Sequence, residues 1–236
     1  MDLFSSIRIR KSCRKYLSKP LTEDLLLEIK TFISQLEPLN QCPFTYRFES
    51  EVKGKFLVQA PHYLMISGSG QPGELENIGF LFEQLILWLD QKEIGSVWLG
   101  SAKAIEPNNS DIITIAFGYA LEGIHRKESE FKRNPISSIT NMEEDACIQA
   151  VRFAPSGMNL QPWYFEKHEN KIHVYQKKLK LPMSALYKLS ELDMGIALCH
   201  YYIACKHFHK SFHFVRKEDD SSKKGYMLFG EISCSE

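Results

Sequence analysis

The chain has 236 residues, and its 29 basic side chains balance 29 acidic ones, so the formal net charge is zero. Hydrophobic residues make up 44% and charged residues 25%, which is typical of a folded globular protein rather than a disordered or fibrous one. A chain without net charge gives no electrostatic reason to expect binding to nucleic acid or to an anionic membrane. No apolar run is long enough to span a bilayer.

The first informative segment reads Arg10-Lys11-Ser12-Cys13-Arg14 and places two arginines around a hydroxyl at alternate positions. On an extended backbone, residues spaced by two point the same way, so Arg10, Ser12 and Arg14 can converge on one anion, and a phosphate would suit them. The charges alone favour the simpler interpretation of a solvated basic segment.

Two helices are predicted next. Thr22 is a suitable N-cap, and Glu23 and Asp24 would face the positive end of the helix that follows. Its apolar face would comprise Leu25, Leu26, Ile29, Phe32 and Ile33. The second helix, over residues 81–89, has too many apolar positions for a surface helix and should be buried.

Three further segments are predicted to form two loops and a linker. Residues 95–100 are predicted to form a loop in which Gly100 lets another group approach the main chain. Residues 123–140 are polar and read as a linker. Residues 154–163, Ala-Pro-Ser-Gly-Met-Asn-Leu-Gln-Pro-Trp, follow a helix that should end near Phe153, and they predict a rigid loop. Its Ser156, Asn159 and Gln161 could face a heteroaromatic ligand, since a purely structural turn rarely needs all three.

The second half of the chain resembles the first at four landmarks spaced by nearly the same offset. Residues 55–58 match residues 171–174, and both are proposed strand starts. Phe117-Gly118 matches Phe229-Gly230, and both are proposed strand ends. The others are Pro43-Phe44 with Pro162-Trp163, and the proposed helix starts Asn77-Ile78-Gly79 and Asp193-Met194-Gly195. We predict two tandem, related α+β modules, residues 1–127 and 128–236. Chance similarity between short patterns is the alternative.

At these residues the chain resembles the FMN-dependent nitroreductase family, whose Arg-x-Ser-x-Arg and Pro-Ser-x-x-Asn-x-Gln-Pro-Trp patterns are both present. The match over residues 154–165 is specific, whereas the arginine pattern alone is weak. The resemblance covers most of the chain and is closest to the branch in which two nitroreductase-like halves are fused. It implies an α+β, nitroreductase-like fold with the two modules forming an intramolecular pseudo-dimer.

Ordinary members of the family are dimers whose flavins lie at the interface, with the arginine segment from one subunit and the proline-bounded loop from the other. Here the first half has the arginine pattern, but its counterpart of the loop is degraded at residues 37–43. The second half keeps the loop and has no intact Arg-x-Ser-x-Arg before it. The resemblance therefore implies a single FMN per chain, between the halves.

The resemblance also implies roles for individual residues. Arg10 would reach the phosphate or ribityl chain, with Lys11 beside it, and Ser12 and Arg14 would lie toward the ribityl and pyrimidine side of the ring. Arg14 would stabilise the negative charge that reduction places near flavin N1 and O2. Arg126 is the candidate for a second phosphate residue, with Lys127 as its substitute.

The remaining predicted contacts lie in the two loops. A main-chain amide from residues 98–100 would donate to flavin N5, which involves Trp98, Leu99 and Gly100. The opposite side of the ring would be bounded by Pro155, Ser156, Gly157 and Asn159. No protein acid, base or nucleophile is needed, because the cofactor performs the redox step.

The activity implied is an FMN-dependent oxidoreductase that passes hydride from NADH or NADPH to a small electron-poor acceptor, such as a nitroaromatic or a quinone. A flavin carrier or sensor with little reductase activity is one alternative. A specialised enzyme that dehalogenates a substrate or fragments the flavin is another. The fused halves permit a monomer, and a homodimer remains open.

The cysteines and histidines give weaker signals. Six cysteines occur without a CxxC pair, which indicates reduced thiols and a cytoplasmic protein: Cys13, Cys42, Cys147, Cys199, Cys205 and Cys234. Cys13, between Ser12 and Arg14, reads as a bystander thiol. Cys205, His209 and His213 are spaced by four, as on one helical face, yet a packing role is favoured and we expect no metal.

Overall fold

The structure is a computed structural model that describes residues 2–179, 187–217 and 223–233, so Cys234 lies outside the described residues. The helices of this part are α1 (Phe4–Ile7), α2 (Glu23–Ile33), α3 (Glu74–Gln91), α4 (Ala146–Val151) and α5 (Tyr187–His207). Its strands are β1 (Thr45–Glu49), β2 (Val52–Gly54), β3 (His62–Ser67), β4 (Gly95–Leu99), β5 (Ala102–Ala104), β6 (Asp111–Gly118), β7 (Trp163–His168), β8 (Lys171–Lys177), β9 (His213–Arg216) and β10 (Tyr226–Ser233). The α+β class predicted from the sequence is confirmed.

The chain divides into two compact units. One, which we call the arginine unit, comprises Ile9–Glu74 and Leu81–Glu130. The other, the proline-loop unit, comprises Met1–Arg8, Leu75–Phe80 and Phe131–Glu236. Each unit has its own sheet and its own buried residues.

The arginine unit is built on an antiparallel sheet of order β1-β3-β6-β4. Its central strands place Leu64 opposite Ile115, and both side chains are almost fully buried. Helix α2 begins as predicted, because the Thr22 hydroxyl accepts the Leu25 N–H at 3.3 Å. Helix α3 is buried along most of its length, which confirms the second predicted helix.

The proline-loop unit has an antiparallel sheet of order β7-β8-β10-β9, with α4 packed on α5. Taken in chain order, its first two strands are neighbours and its fourth lies between the second and the third. The sheet of the arginine unit follows the same rule. In each case the longest helix of that part of the chain, α3 or α5, connects the second strand of the sheet to the third.

Two glycines of the proline-loop unit allow α3 and α5 to approach backbone to backbone. A Cβ on Gly79 would lie 2.1 Å from the Leu192 carbonyl oxygen, and one on Gly195 would lie 1.9 Å from the Glu76 carbonyl oxygen. Each glycine therefore faces the carbonyl three residues before the other. The contact is reciprocal, as in an interface with two-fold symmetry.

Several sequence landmarks differ from the structure. Residues 55–58 form no strand, because Phe56 has a positive φ of 53° that ends extended structure. Residues 95–99, predicted as a loop, form β4 and pair with β6. The proposed helix starts at 77–79 and 193–195 lie inside α3 and α5, and Phe229-Gly230 lies within β10 rather than at its end.

None of the helices in the described ranges combines the length and the apolar character needed to cross a membrane.

Candidate functional site

Main-chain hydrogen bonds fix the position of the arginine segment, residues 10–14, within the arginine unit. The Lys11 N–H donates to the Ile124 carbonyl at 2.9 Å, and the Arg126 N–H donates to the Ile9 carbonyl at 2.8 Å. The Cys13 N–H donates to the Ser96 carbonyl at 3.0 Å. Segment 9–11 is therefore bound antiparallel to segment 124–126, so that Arg10 and Arg126 belong to adjacent stretches of backbone.

The three arginines assigned by sequence are close enough for their charges to interact. The pKa of Arg126 falls to about 10, chiefly because the side chain is partly desolvated and then because Arg10 and Arg14 repel its charge. Glu130 opposes this shift. Arg10 is buried and Arg14 is exposed, while Lys11 and Ser12 are half-buried between them, and the substitute Lys127 is exposed.

A carboxylate that sequence reasoning did not assign lies beside Arg10. Glu83 of α3 is fully buried, with one oxygen 3.9 Å from Arg10 Nε and the other accepting the Trp98 indole N–H at 3.0 Å. Buried charges need partners, so Glu83 links the orientation of Arg10 to that of Trp98.

A cavity of about 470 Å³ opens in the arginine unit at the end of β4. Four predicted site residues line it: Arg14, Trp98, Leu99 and Gly100. Trp98 and Leu99 pair with β6, whereas Gly100 lies one residue beyond β4, where an added Cβ would meet only the Ile113 side chain, at 3.9 Å. Room next to the main chain is therefore present where it was predicted.

Phe56 also lines this cavity, although its side chain is 91% exposed. An exposed aromatic ring on a backbone with positive φ is unfavourable twice over, because it loses both burial and a relaxed conformation. Such strain is found most often at ligand sites.

The proline loop, residues 155–161, lies in the proline-loop unit and follows α4, which ends at Val151 close to the predicted position. Its backbone is unusual, since Met158, Asn159 and Gln161 all have positive φ values, of 50°, 57° and 49°. Pro155 and Ser156 are half-buried, while Gly157 and Asn159 are exposed.

The polar side chains of this loop bond to the protein itself. The Ser156 hydroxyl accepts the Gln161 N–H at 2.9 Å, and the Gln161 side-chain oxygen accepts the Asn134 N–H at 2.9 Å. Asn159 accepts from Arg133 at 2.9 Å and donates to the Lys132 carbonyl at 2.8 Å. The argument that a structural turn rarely needs all three is therefore wrong here, because each of them holds the positive-φ backbone in place.

A buried carboxyl supports the loop from α5. Asp193 accepts the Gly157 N–H at 2.9 Å and is 6% exposed. Burial raises the pKa of Asp193 to about 7, and the Gly157 N–H offsets only part of that rise.

The suggested metal-ligand series does not lie on one helical face. Helix α5 ends at His207, so His209 and His213 are outside it, and Cys205 instead contacts Cys147. Across residues 2–179, 187–217 and 223–233, no cluster of three or more potential ligands could hold a metal ion.

Comparison with known proteins gives a family. A family model described as "Putative TM nitroreductase" matches residues 2–205. The chain belongs to this nitroreductase family. A crystal structure described as "a putative nitroreductase" from Thermotoga maritima matches this chain with 20% identity and a TM-score of 0.71, covering 99% of this chain and 94% of that one. That match shows a common fold.

Two other solved structures are less similar. A nitroreductase family protein from Clostridium difficile covers 58% of this chain and 95% of its own, with 15% identity and a TM-score of 0.46. An FMN-dependent nitroreductase from Clostridium difficile covers 54% of this chain and 93% of its own, with 15% identity and a TM-score of 0.41. No curated protein sequence matches this chain.

Four residues near the predicted site residues were not identified from the sequence: Phe56 and Glu83 in the arginine unit, and Arg133 and Asp193 in the proline-loop unit. A carboxylate in the apolar pattern of α3 was a usable signal for Glu83, since a buried acid requires a partner. Asp193 carried a similar signal within α5. Arg133 lies in a charged linker, and Phe56 in a pattern that resembled a strand, so local sequence held no signal for either.

Proposed function

We propose that this member of the nitroreductase family binds FMN and passes hydride from NADH or NADPH to a small electron-poor acceptor of the nitroaromatic or quinone type. The observation that carries the proposal is the placement of Arg10 and Arg126 on adjacent, hydrogen-bonded backbone segments of the arginine unit, together with Arg14, which lines the cavity. Cations held close together against repulsion are typical of an anion site.

A phosphate monoester fits this arrangement. The pKa of Arg126 is lowered to about 10 by desolvation and by the like charges of Arg10 and Arg14. A bound phosphate dianion would offset the repulsion from both of these arginines. The Arg10 guanidinium and the Arg126 guanidinium would bind the phosphate and ribityl oxygens, with Lys11 and Ser12 beside them and Lys127 as substitute for Arg126. The cavity of about 470 Å³ is within the range of small-molecule sites.

FMN bound here would supply the hydride-transfer chemistry between nicotinamide and acceptor. Arg14 would stabilise the negative charge that reduction places on the pyrimidine part of the ring. Main-chain amides of Trp98, Leu99 or Gly100 would donate to N5, and Gly100 leaves space for the approach. Phe56 would present an aromatic face to a flat acceptor.

We assign the other side of the flavin to Pro155, Ser156, Gly157 and Asn159. The internal bonds of Ser156 and Asn159 favour a role in which these side chains fix the loop and the loop bounds the ring. Asp193 would then act as a positioning residue through the Gly157 amide.

The proposal includes an internal duplication, with related halves at residues 1–127 and 128–236 arranged as a pseudo-dimer. The common strand order of the two sheets and the reciprocal contact of Gly79 and Gly195 support it. One FMN per chain follows, because only the first half has the arginine pattern and only the second has the intact loop. A cytoplasmic protein able to act as a monomer is part of the same proposal.

An absorbance spectrum of the purified protein, followed by anaerobic addition of NADPH, tests the activity. We expect an oxidised-flavin spectrum that bleaches with NADPH and returns on addition of a quinone. A flavin that stays oxidised would indicate a carrier or sensor, and dehalogenated or flavin-derived products would indicate the specialised enzyme. A protein that takes up no FMN would contradict the proposal.

Arg14→Ala is expected to raise the Kd for FMN about tenfold, since a hydrogen bond to a charged group contributes about 1.5 kcal/mol. Titration of the apoprotein, followed by flavin fluorescence, measures the effect. Lys15→Ala is the matched control, because Lys15 is exposed and pairs with the exposed Glu122. Equal affinities in the wild type and Arg14→Ala would remove Arg14 from the site.

A further inference from the structure

Two buried thiols of the proline-loop unit are in contact. Cys147 of α4 and Cys205 of α5 are 0% and 1% exposed, and their sulfur atoms lie 3.7 Å apart with the Cys205 thiol donating. Neither residue has a part in the proposed flavin site. A disulfide needs the sulfurs at about 2.05 Å, so closure requires an approach of less than two ångströms between helices that are already packed together.

A charged pair adjoins the two thiols. Asp145 accepts the Cys147 N–H at 2.8 Å, and the Lys210 N–H donates to the Cys205 carbonyl at 2.8 Å. The side chains of Asp145 and Lys210 form an ion pair of 3.4 Å and are 25% and 50% exposed. The two buried thiols therefore adjoin the partly exposed side chains of Asp145 and Lys210.

The electrostatic environment distinguishes the two sulfurs. The hydrogen bond from Cys205 lowers the pKa of the Cys147 thiol, and the Lys210 charge acts in the same direction, while burial and Asp145 oppose them. The pKa of Cys205 is raised, first because its thiol donates to Cys147 and then because it is buried. Cys147 is thus the better nucleophile, and Cys205 keeps its proton until a second step.

We propose that Cys147 and Cys205 are a disulfide-forming site, oxidised by a hydroperoxide such as hydrogen peroxide. The Cys147 sulfur attacks one peroxide oxygen, the O–O bond breaks, and the departing hydroxide takes the thiol proton to leave as water. The Cys205 sulfur then attacks the Cys147 sulfur, the S–O bond breaks, and a second water leaves with the Cys205 proton. Two thiols and one peroxide give one disulfide and two waters.

Oxidation would join α4 to α5 across 58 residues of sequence. Such a cross-link restricts the unfolded chain, so it stabilises the folded state. The oxidised protein should therefore unfold at a higher temperature than the reduced protein, and a dithiol reductant should reverse the difference. This property does not depend on a bound flavin.

The test uses the full chain, treated with stoichiometric hydrogen peroxide and then alkylated in denaturant. Intact mass spectrometry should show two fewer alkylated thiols than the six of the reduced chain. Peptide mapping without reductant should locate the link between Cys147 and Cys205. Cys147→Ser and Cys205→Ser should each abolish the link. Cys199→Ala should retain it, and it is the matched control because Cys199 is also a buried cysteine of α5.

The wild-type chain alone can overturn the proposal, whether or not the serine variants fold. Six alkylated thiols after oxidation would contradict it, as would a link between any other cysteines. Oxidation of Cys147 to a sulfinic acid without a link would show that Cys205 cannot resolve the first product, and would also contradict it.

Discussion

Gly195→Ala is expected to lower the free energy of unfolding by about 3 kcal/mol, the upper end of the usual cost of overpacking. The added Cβ would lie 1.9 Å from the Glu76 carbonyl oxygen, and this atom belongs to a backbone that cannot rotate away. Alanine normally stabilises a helix interior by about 1 kcal/mol relative to glycine. A loss of stability would therefore have the opposite sign to the intrinsic preference.

Gly79→Ala should behave in the same way, because its Cβ would lie 2.1 Å from the Leu192 carbonyl oxygen. Chemical denaturation of both variants measures the effect. Gly123→Ala is the control, since no described residue other than its chain neighbours lies within 4 Å of the position its Cβ would take, and its stability should match the wild type. Wild-type stability of Gly195→Ala would mean that the two helices do not approach this closely.

Asp193→Asn is expected to change how stability depends on pH. With the pKa of Asp193 raised to about 7, the folded state keeps a proton that the unfolded chain releases near its ordinary value of 3.8. Stability of the wild type should thus fall as pH rises from about 4 to 7, and level off above that. A rise from 3.8 to about 7 corresponds to about 4 kcal/mol.

Asparagine cannot ionise, and its side-chain oxygen can still accept the Gly157 N–H. The variant should therefore become more stable relative to the wild type as pH rises from about 4 to 7. Urea denaturation at a series of pH values measures it. Parallel curves would show that Asp193 is ionised in the folded state.

Asp111→Asn provides a control of the opposite kind. The Arg47 guanidinium holds the pKa of Asp111 at about 2, so the stability that this pair contributes is present above about pH 4 and is lost only as pH falls toward 2. Between about pH 4.5 and 8, Asp111→Asn should be less stable than the wild type by a constant amount.

Local sequence predicted the features that local physics controls. The Thr22 cap was found because a hydroxyl beside two acids satisfies the first turn of a helix, and the burial of α3 was found from its apolar composition. The proline loop was recognised from its composition and from a specific family pattern. The family assignment from these residues is confirmed.

Features that depend on distant contacts were not predicted. Residues 55–58 resembled a strand, yet Phe56 has a positive φ of 53°, and residue type alone does not predict this. The partners of Glu83 and Asp193 come from other elements, so only the folded chain reveals them. The assigned flavin roles of Arg10, Arg14 and Arg126 remain predictions, and their proximity is what the fold adds.

The arginine segment is held by main-chain bonds, through the Lys11 N–H to Ile124 and the Arg126 N–H to Ile9. Side-chain identity at positions 12 and 14 is therefore largely uncoupled from the path of the backbone that carries it, whereas the buried Arg10 also pairs with the buried Glu83. Exchanging the side chains at positions 12 and 14 would alter the preference of the site for an anionic cofactor while the scaffold stays in place. The same independence would let natural variants drift in cofactor preference without first losing their fold.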